Sequence, residues 1–181
     1  THYPFREWVR LVGQGNPNMV ETLFLRPDYV APWWAPQSRA ALHTALLSSQ
    51  ALKRFAGYGC SQIAALEGRR NKKTNRPEVI AQYGWDTKWG YHAIRVLSEG
   101  LELAQTGRLV FPRPNADLLS AIREGRCTQK AVTVYAEHLA TALEATNTRL
   151  PEQPDWARIN TNMIDTFYQG WDSQPHLRRT S

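Results

Sequence analysis

The stretch YGWDTKWGYHAIRVLSEG, residues 83–100, decides the fold because it carries the clearest helical pattern in the chain. From Asp86 onward, apolar residues recur every three or four positions, which is the spacing of one face of an α-helix. Asp86 is suited to cap the start of this helix, and Gly107 is suited to end it. The sequence therefore predicts a helix over about residues 86–105.

The predicted helix has two different sides when its residues are placed at 100° intervals. The apolar side contains Gly90, Ala93, Ile94, Leu97, Leu101 and Ala104. The polar side contains Lys88, Tyr91, His92, Arg95, Glu99 and Glu102. We expect the apolar side to pack against one long helix that begins after Pro36 and ends near Glu67–Gly68. This packing leaves the polar side open to solvent or to a ligand.

The polar side begins with cations at phosphate-binding spacing. Lys88, His92 and Arg95 lie one turn apart, so they can contact successive phosphate oxygens, the lysine as a point charge and the arginine as a fork. An ordinary solvated face, in which Arg95 pairs with Glu99, fits the same spacing and is favoured by spacing alone. Three aromatic residues at the helix start, Trp85, Trp89 and Tyr91, favour a binding site, because aromatic rings beside cations suit base stacking. The alternative is that the tryptophans are core or interface anchors, which is the more common role of this residue.

Helical periodicity continues through most of the chain, so the sequence predicts a mainly α fold. The expected architecture is a bundle of about six to seven helices with at most one short strand, at residues 108–112. Asn16 is expected to cap a helix whose first residue is Pro17. Further helices are expected near residues 3–14, 115–124, 128–147 and 155–168. We divide the chain into a helical portion, 1–150, and a linker, terminal helix and tail, 151–181.

Composition limits the class of protein and partner. The chain has 181 residues and a formal charge of +6, which favours anionic partners such as nucleotides or nucleic acid. No apolar run approaches the roughly 20 residues of a membrane span, so no membrane partner is expected. Cys60 and Cys127 lack metal-ligand spacing, so no metal site is expected, and free thiols fit a cytoplasmic protein.

A basic loop, EGRRNKKTNRP at residues 67–77, is a separate candidate for nucleic-acid contacts. Its cations are Arg69, Arg70, Lys72, Lys73 and Arg76. They can follow a nucleic-acid backbone, although a merely solvated loop fits the same composition.

Three segments in order resemble a family of nucleotidyltransferases. They are FREWVRLVGQGNPNMVETLF at residues 5–24, KRFAGYGCSQI at 53–63, and the stretch from 83 to 128 that includes YGWDTKWGYHAIRVLSEG. Together they resemble, over about residues 3–145, predicted nucleotidyltransferases of the DNA polymerase beta superfamily that are linked to an RNA-repair pathway in bacteria and phages. Each segment alone would be a weak signal, whereas three in the same order are fairly specific.

The resemblance implies nucleotidyl transfer, with a nucleoside triphosphate and Mg²⁺ as cofactors and pyrophosphate as a product. In that superfamily the metal-holding carboxylates follow a Gly-Ser turn as an Asp-x-Asp pair, and this sequence contains neither motif. We therefore expect the chain to be the helical carboxyl-terminal portion, without the catalytic α/β lobe. It would be a trimmed protein, one product of a split gene that works with a separate amino-terminal lobe, or a member that only binds nucleotide or nucleic acid.

The resemblance also implies roles for residues of the predicted helix at 86–105. Asp86, Lys88, His92 and Arg95 match the family's block residue by residue. Lys88 and Arg95 are expected to face the triphosphate, and His92 is expected to act as an orienting hydrogen-bond donor.

The two earlier segments supply the remaining expected site residues. Tyr58 can stack on a base, Asn16 can cap its helix, and Glu21 can pair with a basic residue such as Arg54. The alternatives are a purely structural cap, a structural ion pair and core packing for the tyrosine. The resemblance points to RNA as an acceptor without fixing it. Another hypothesis is one half of a two-component complex, joined through an apolar patch of tryptophans that includes Trp8, Trp33 and Trp34.

Overall fold

The computed structural model describes residues 4–29, 36–69 and 76–172. Within these ranges the chain forms nine α-helices and two short 3₁₀ turns, at Glu21–Phe24 and Pro27–Tyr29, and no strand. The helices are α1 (Phe5–Gly13), α2 (Pro17–Val20), α3 (Pro36–Leu46), α4 (Ser49–Leu66), α5 (Pro77–Tyr83), α6 (Thr87–Thr106), α7 (Ala116–Arg123), α8 (Gln129–Ala145) and α9 (Trp156–Asp172). The predicted mainly helical class is confirmed.

Helices α4 and α6 pack against each other at the centre of the molecule, as the sequence predicts. They run in opposite directions, because Gly59 of α4 lies against Leu97 of α6, whereas Gly100 lies against Phe55. Helix α8 covers both, and Leu143 also contacts the backbone at Gly100. The apolar side of α6 is buried in this core, where Leu97 and Phe55 have no exposed surface.

Helix α6 begins and ends close to the positions that the sequence predicts. The side chain of Asp86 caps α6 by accepting a hydrogen bond from the backbone N–H of Lys88 at 3.1 Å. Gly107 follows the last turn in the left-handed conformation, with φ of 67°. Helices α7 and α8 also begin and end within about two residues of the predicted positions.

The turn between α1 and α2 packs directly against α4. Gly15 has φ of +74°, and a Cβ there would lie 2.5 Å from the Cα of Ala51, so both the conformation and the space require glycine. Asn16 Oδ1 then accepts a hydrogen bond from the N–H of Asn18 at 3.1 Å, and Pro17 is the first residue of α2. The predicted cap is confirmed, although α2 is only one turn long.

The single long helix predicted after Pro36 is wrong, because the chain breaks at Leu47–Ser48 into α3 and α4. The backbone N–H groups of Ser49 and Gln50 donate to the carbonyls of Pro151 and Glu152 at 2.8 and 3.3 Å. Leu47 and Ser48 are both buried, so the apolar spacing continues across the break and conceals it.

Two other local predictions also differ from the structure. At 108–112 the sequence allowed either a short strand or simply an extended segment, and the described residues form no strand there. The N–H of Val110 donates to the carboxylate of Glu102 rather than to another strand. Helix α5 was not predicted. It begins at Pro77 and ends before Gly84, and none of its residues is buried, so it has no apolar periodicity to reveal it.

The last helix, α9, packs against α3. The N–H of Asp155 donates to the carbonyl of Ala45 at 2.9 Å, and Ile159 is completely buried. The division of the chain at residue 150 stays a prediction. None of the helices within the described ranges is long and apolar enough to cross a membrane.

Candidate functional site

A groove of about 860 Å³ opens between the α1–α2 turn, α4 and the start of α6. It brings together six of the residues that the sequence singles out: Asn16, Arg54, Tyr58, Arg76, Lys88 and His92. It also contains Trp89, one of the aromatic residues noted at the start of the predicted helix, and five residues that the sequence did not single out: Gln14, Asn18, Lys53, Ser61 and Gln62. The groove therefore brings together about half of the predicted site residues.

Helix α4 supplies one wall of the groove through its 3.6-residue repeat. Arg54, Tyr58 and Gln62 are four residues apart and line the groove in a row along the helix axis. Lys53 and Ser61 lie beside this row. Lys53 was not predicted, because the sequence-based interpretation of this helix rested on its apolar spacing and not on its polar face. The adjacent Lys53–Arg54 pair is the sequence signal that could have identified it.

The start of α6 and the segment before α5 form the opposite end of the groove. Arg76 donates to Asp86 Oδ2 at 2.7 Å, and its guanidinium lies 5.8 Å from the ring centroid of Trp89. Asp86 is buried and does not line the groove. Its carboxylate instead holds Arg76 and the first turn of α6 in place. Lys88 is exposed at the same end.

The groove is cationic. Lys53, Arg54, Arg76 and Lys88 line it, and no aspartate or glutamate of the described residues does so. One of the four charges is neutralised by a carboxylate outside the groove lining, because Arg76 forms an ion pair with Asp86. A concave surface lined by one sign of charge attracts ligands of the opposite sign.

His92 lies between the cations of the groove, and its pKa is lowered. Burial is the main cause, and the positive charges of Lys88, Arg76 and Arg123 add to it. The imidazole is consequently neutral at pH 7, with one nitrogen that donates and one that accepts. Nδ1 is buried and has no hydrogen-bond partner within the described part of the chain.

Arg95 is not part of the groove, in contrast to the sequence-based expectation. It is only 8% exposed and forms ion pairs with Glu21 and Glu99. Its Nη2 also donates to Asn18 Oδ1 at 2.8 Å, which connects it to the groove wall. Glu21 pairs with a basic residue, as expected, but this residue is Arg95 and not Arg54. The 3₁₀ turn that carries Glu21 covers this part of the polar side of α6.

The buried network around Arg95 contains one more carboxyl group than it has cations. Arg95 is paired with Glu21, and Arg113 is paired with Glu102 at 2.5 Å. Glu99 lies between the two arginines, at 3.4 and 3.9 Å, and has no exposed surface. Burial raises the pKa of Glu99 to about 7 despite the two arginines. None of the five side chains of this network lines the groove.

The basic loop contributes one described residue, Arg76, to the groove. Arg69 is exposed and pairs with Glu67. Arg70, Lys72 and Lys73 lie outside the described residues, as do Trp33 and Trp34. The role predicted for this loop in nucleic-acid contacts therefore stays a prediction.

The donor set of the groove fits a polyphosphate and does not fit Mg²⁺. Over residues 4–29, 36–69 and 76–172, no three histidine, cysteine, aspartate or glutamate side chains lie close enough to hold a metal ion. Magnesium prefers carboxylate and water oxygens, whereas the groove presents ammonium, guanidinium, amide and hydroxyl groups. Ammonium and guanidinium groups are the usual partners of phosphate oxygens.

Comparison with known proteins gives one match. A family model described as the RNA repair pathway DNA polymerase beta family matches residues 1–165, which is most of the chain. No curated protein and no solved structure matches. The match covers the three segments on which the sequence resemblance rests.

Proposed function

The chain belongs to the RNA repair pathway DNA polymerase beta family, and from this membership we propose that its groove binds the triphosphate of a nucleotide during nucleotidyl transfer. In this reaction a hydroxyl oxygen of the acceptor gives up its proton to solvent and attacks the α-phosphorus of a nucleoside triphosphate. The bond from the α-phosphorus to the β-phosphate oxygen breaks, and pyrophosphate leaves with the negative charge that develops on that oxygen.

The observation that carries the proposal is the pair of cations at the start of α6. Lys88 is exposed at the groove, and Arg76 is held beside it by Asp86. Fixed positive groups at the place where charge develops stabilise a transition state more than mobile ones do. We assign the β- and γ-phosphates to this end, because the guanidinium of Arg76 is already oriented before a ligand binds.

The neutral residues of the groove suit the rest of the nucleotide. His92, neutral at pH 7, can donate one N–H to a phosphate oxygen without adding charge. Tyr58 is partly exposed in the groove, where its ring can stack on a base. Mg²⁺ would lower the charge repulsion between the triphosphate and the attacking oxygen. We propose that a separate catalytic lobe supplies the carboxylates that hold it, since the groove residues do not fit this ion.

The proposal is tested with the complete gene product. Each of the four α-³²P-labelled ribonucleoside triphosphates is incubated with the protein, Mg²⁺ and a mixture of single-stranded RNAs, and labelled acceptor and pyrophosphate are measured. We expect equal amounts of both products with at least one nucleotide. Binding of a nucleotide without transfer would support a non-catalytic binding module instead. Absence of both transfer and binding would contradict the proposal.

A further inference from the structure

The groove has a second cationic end, formed by Lys53 and Arg54 on the first turns of α4. Since α4 and α6 are antiparallel, with Gly59 opposite Leu97, this end lies far from Lys88. A rise of 1.5 Å per residue places the two ends roughly 20 Å apart along the helix axis. Tyr58 and Gln62 occupy the middle of the groove. A single triphosphate bound beside Lys88 is too short to reach both ends.

Lys53 and Arg54 are exposed and have no carboxylate partner among the described residues. Exposed arginines without a carboxylate partner among the described residues also occur elsewhere on the surface, but none of these lines the groove: Arg6, Arg108, Arg123, Arg149 and Arg158. An adjacent pair of uncompensated cations inside a concave surface is a stronger anion site than cations on an open surface.

The α1–α2 turn adds hydrogen-bonding groups to this end. Gly15 packs directly on Ala51, and this contact places Gln14 and Asn16 on the groove wall beside the two cations. Amide side chains and cations together are the groups that proteins most often use to contact the nucleic-acid backbone. The turn that the sequence marks only as a helix cap therefore also forms part of the groove.

We propose that Lys53 and Arg54 bind backbone phosphates of a single-stranded nucleic acid, which lies along the groove as the acceptor strand. The proposal rests on the proposed function, because it assumes that the triphosphate occupies the Lys88 end. A strand carries one phosphate per nucleotide along its length, so it can contact cations at one end and extend to the other. A basic channel with an aromatic side chain, here Tyr58, is the usual form of a single-strand site.

The test measures the binding of a fluorescent 12-nucleotide single-stranded RNA by the full-length protein at several salt concentrations. The variant carries Lys53→Gln and Arg54→Gln, and the matched control carries Lys130→Gln and Arg158→Gln, two exposed cations that do not line the groove. We expect the double variant to bind roughly tenfold more weakly, and its slope of log K against log salt to be smaller by about 1.4. Inorganic tripolyphosphate should bind the double variant and the wild type within a factor of two.

Each other outcome has a defined meaning. An unchanged salt slope in the Lys53/Arg54 variant, equal weakening in the control variant, or no RNA binding by the wild type would overturn the acceptor site. Loss of tripolyphosphate binding together with RNA binding would also overturn it, because the two ends would not be separate. RNA binding that depends on Lys53 and Arg54, combined with no tripolyphosphate binding by the wild type, would support the strand site and contradict the proposed function.

Discussion

Replacement of Arg95 by methionine is expected to lower the free energy of unfolding by about 3–5 kcal/mol, because removal of one partner from a buried ion pair leaves an uncompensated charge. Arg95 is the cation that pairs with Glu21, and it also donates to Asn18. Its loss leaves the Glu21 carboxylate and the Asn18 oxygen without that donor. Urea denaturation measures the change.

A matched control is Arg108→Met, since Arg108 is an exposed arginine at the end of the same helix. This control is expected to change the unfolding free energy by less than about 0.5 kcal/mol. Equal stability of both variants, together with a large loss of tripolyphosphate affinity in Arg95→Met alone, would restore the phosphate-binding role that the sequence suggested.

A second variant, Glu99→Gln, tests the same network from the acidic side. The pKa of Glu99 is about 7 in the folded chain, compared with an ordinary 4.5, so the folded state keeps a proton that the unfolded state loses. Between these two values stability therefore falls as the pH rises, and the fall is complete above the folded pKa. The glutamine variant should lack this fall and should be at least as stable as the wild type at pH 7.

Replacement of Gly59 by alanine is expected to destabilise the protein by about 1–3 kcal/mol, because an added methyl group has no space in the core. A Cβ at this position would lie 2.5 Å from Leu97 Cδ2, and Leu97 is completely buried, so it cannot move outward. The close approach of α4 and α6 that forms the groove wall depends on this glycine.

The control lies two residues away in the same helix. A Cβ at Gly57 would meet no atom within 4 Å, so Gly57→Ala should stabilise the protein by up to about 1 kcal/mol through helix propensity alone. Thermal and urea unfolding of both variants measure the difference. A change of the same sign and size in both would show that the α4–α6 contact is not as close as described.

The sequence predicted the ends of a helix correctly where those ends depend on neighbouring residues. The cap at Asp86 and the left-handed stop at Gly107 each depend on residues within one turn. The break at Leu47–Ser48 could not be predicted, because the first N–H groups of α4 donate to the carbonyls of Pro151 and Glu152, which are about 100 residues away in the sequence.

The residues of the groove were also predicted only in part, because local sequence signals do not show tertiary packing. Periodicity places Lys88, His92 and Arg95 on one side of α6, but it cannot show what covers that side. The turn that carries Glu21 covers Arg95 and leaves Lys88 and His92 at the groove. Helical position thus identified the face of α6 that reaches the groove, whereas tertiary packing decides which of its cations line the groove.

The central claim is that the cations at the start of α6 bind a triphosphate. Calorimetric titration of inorganic tripolyphosphate into the wild type, Lys88→Gln and the control Lys130→Gln tests it most directly. We predict binding by the wild type, affinity at least about tenfold lower for Lys88→Gln because a charge-assisted contact is lost, and affinity within a factor of two of the wild type for the control. No binding by the wild type, or equal binding by Lys88→Gln, would contradict the account.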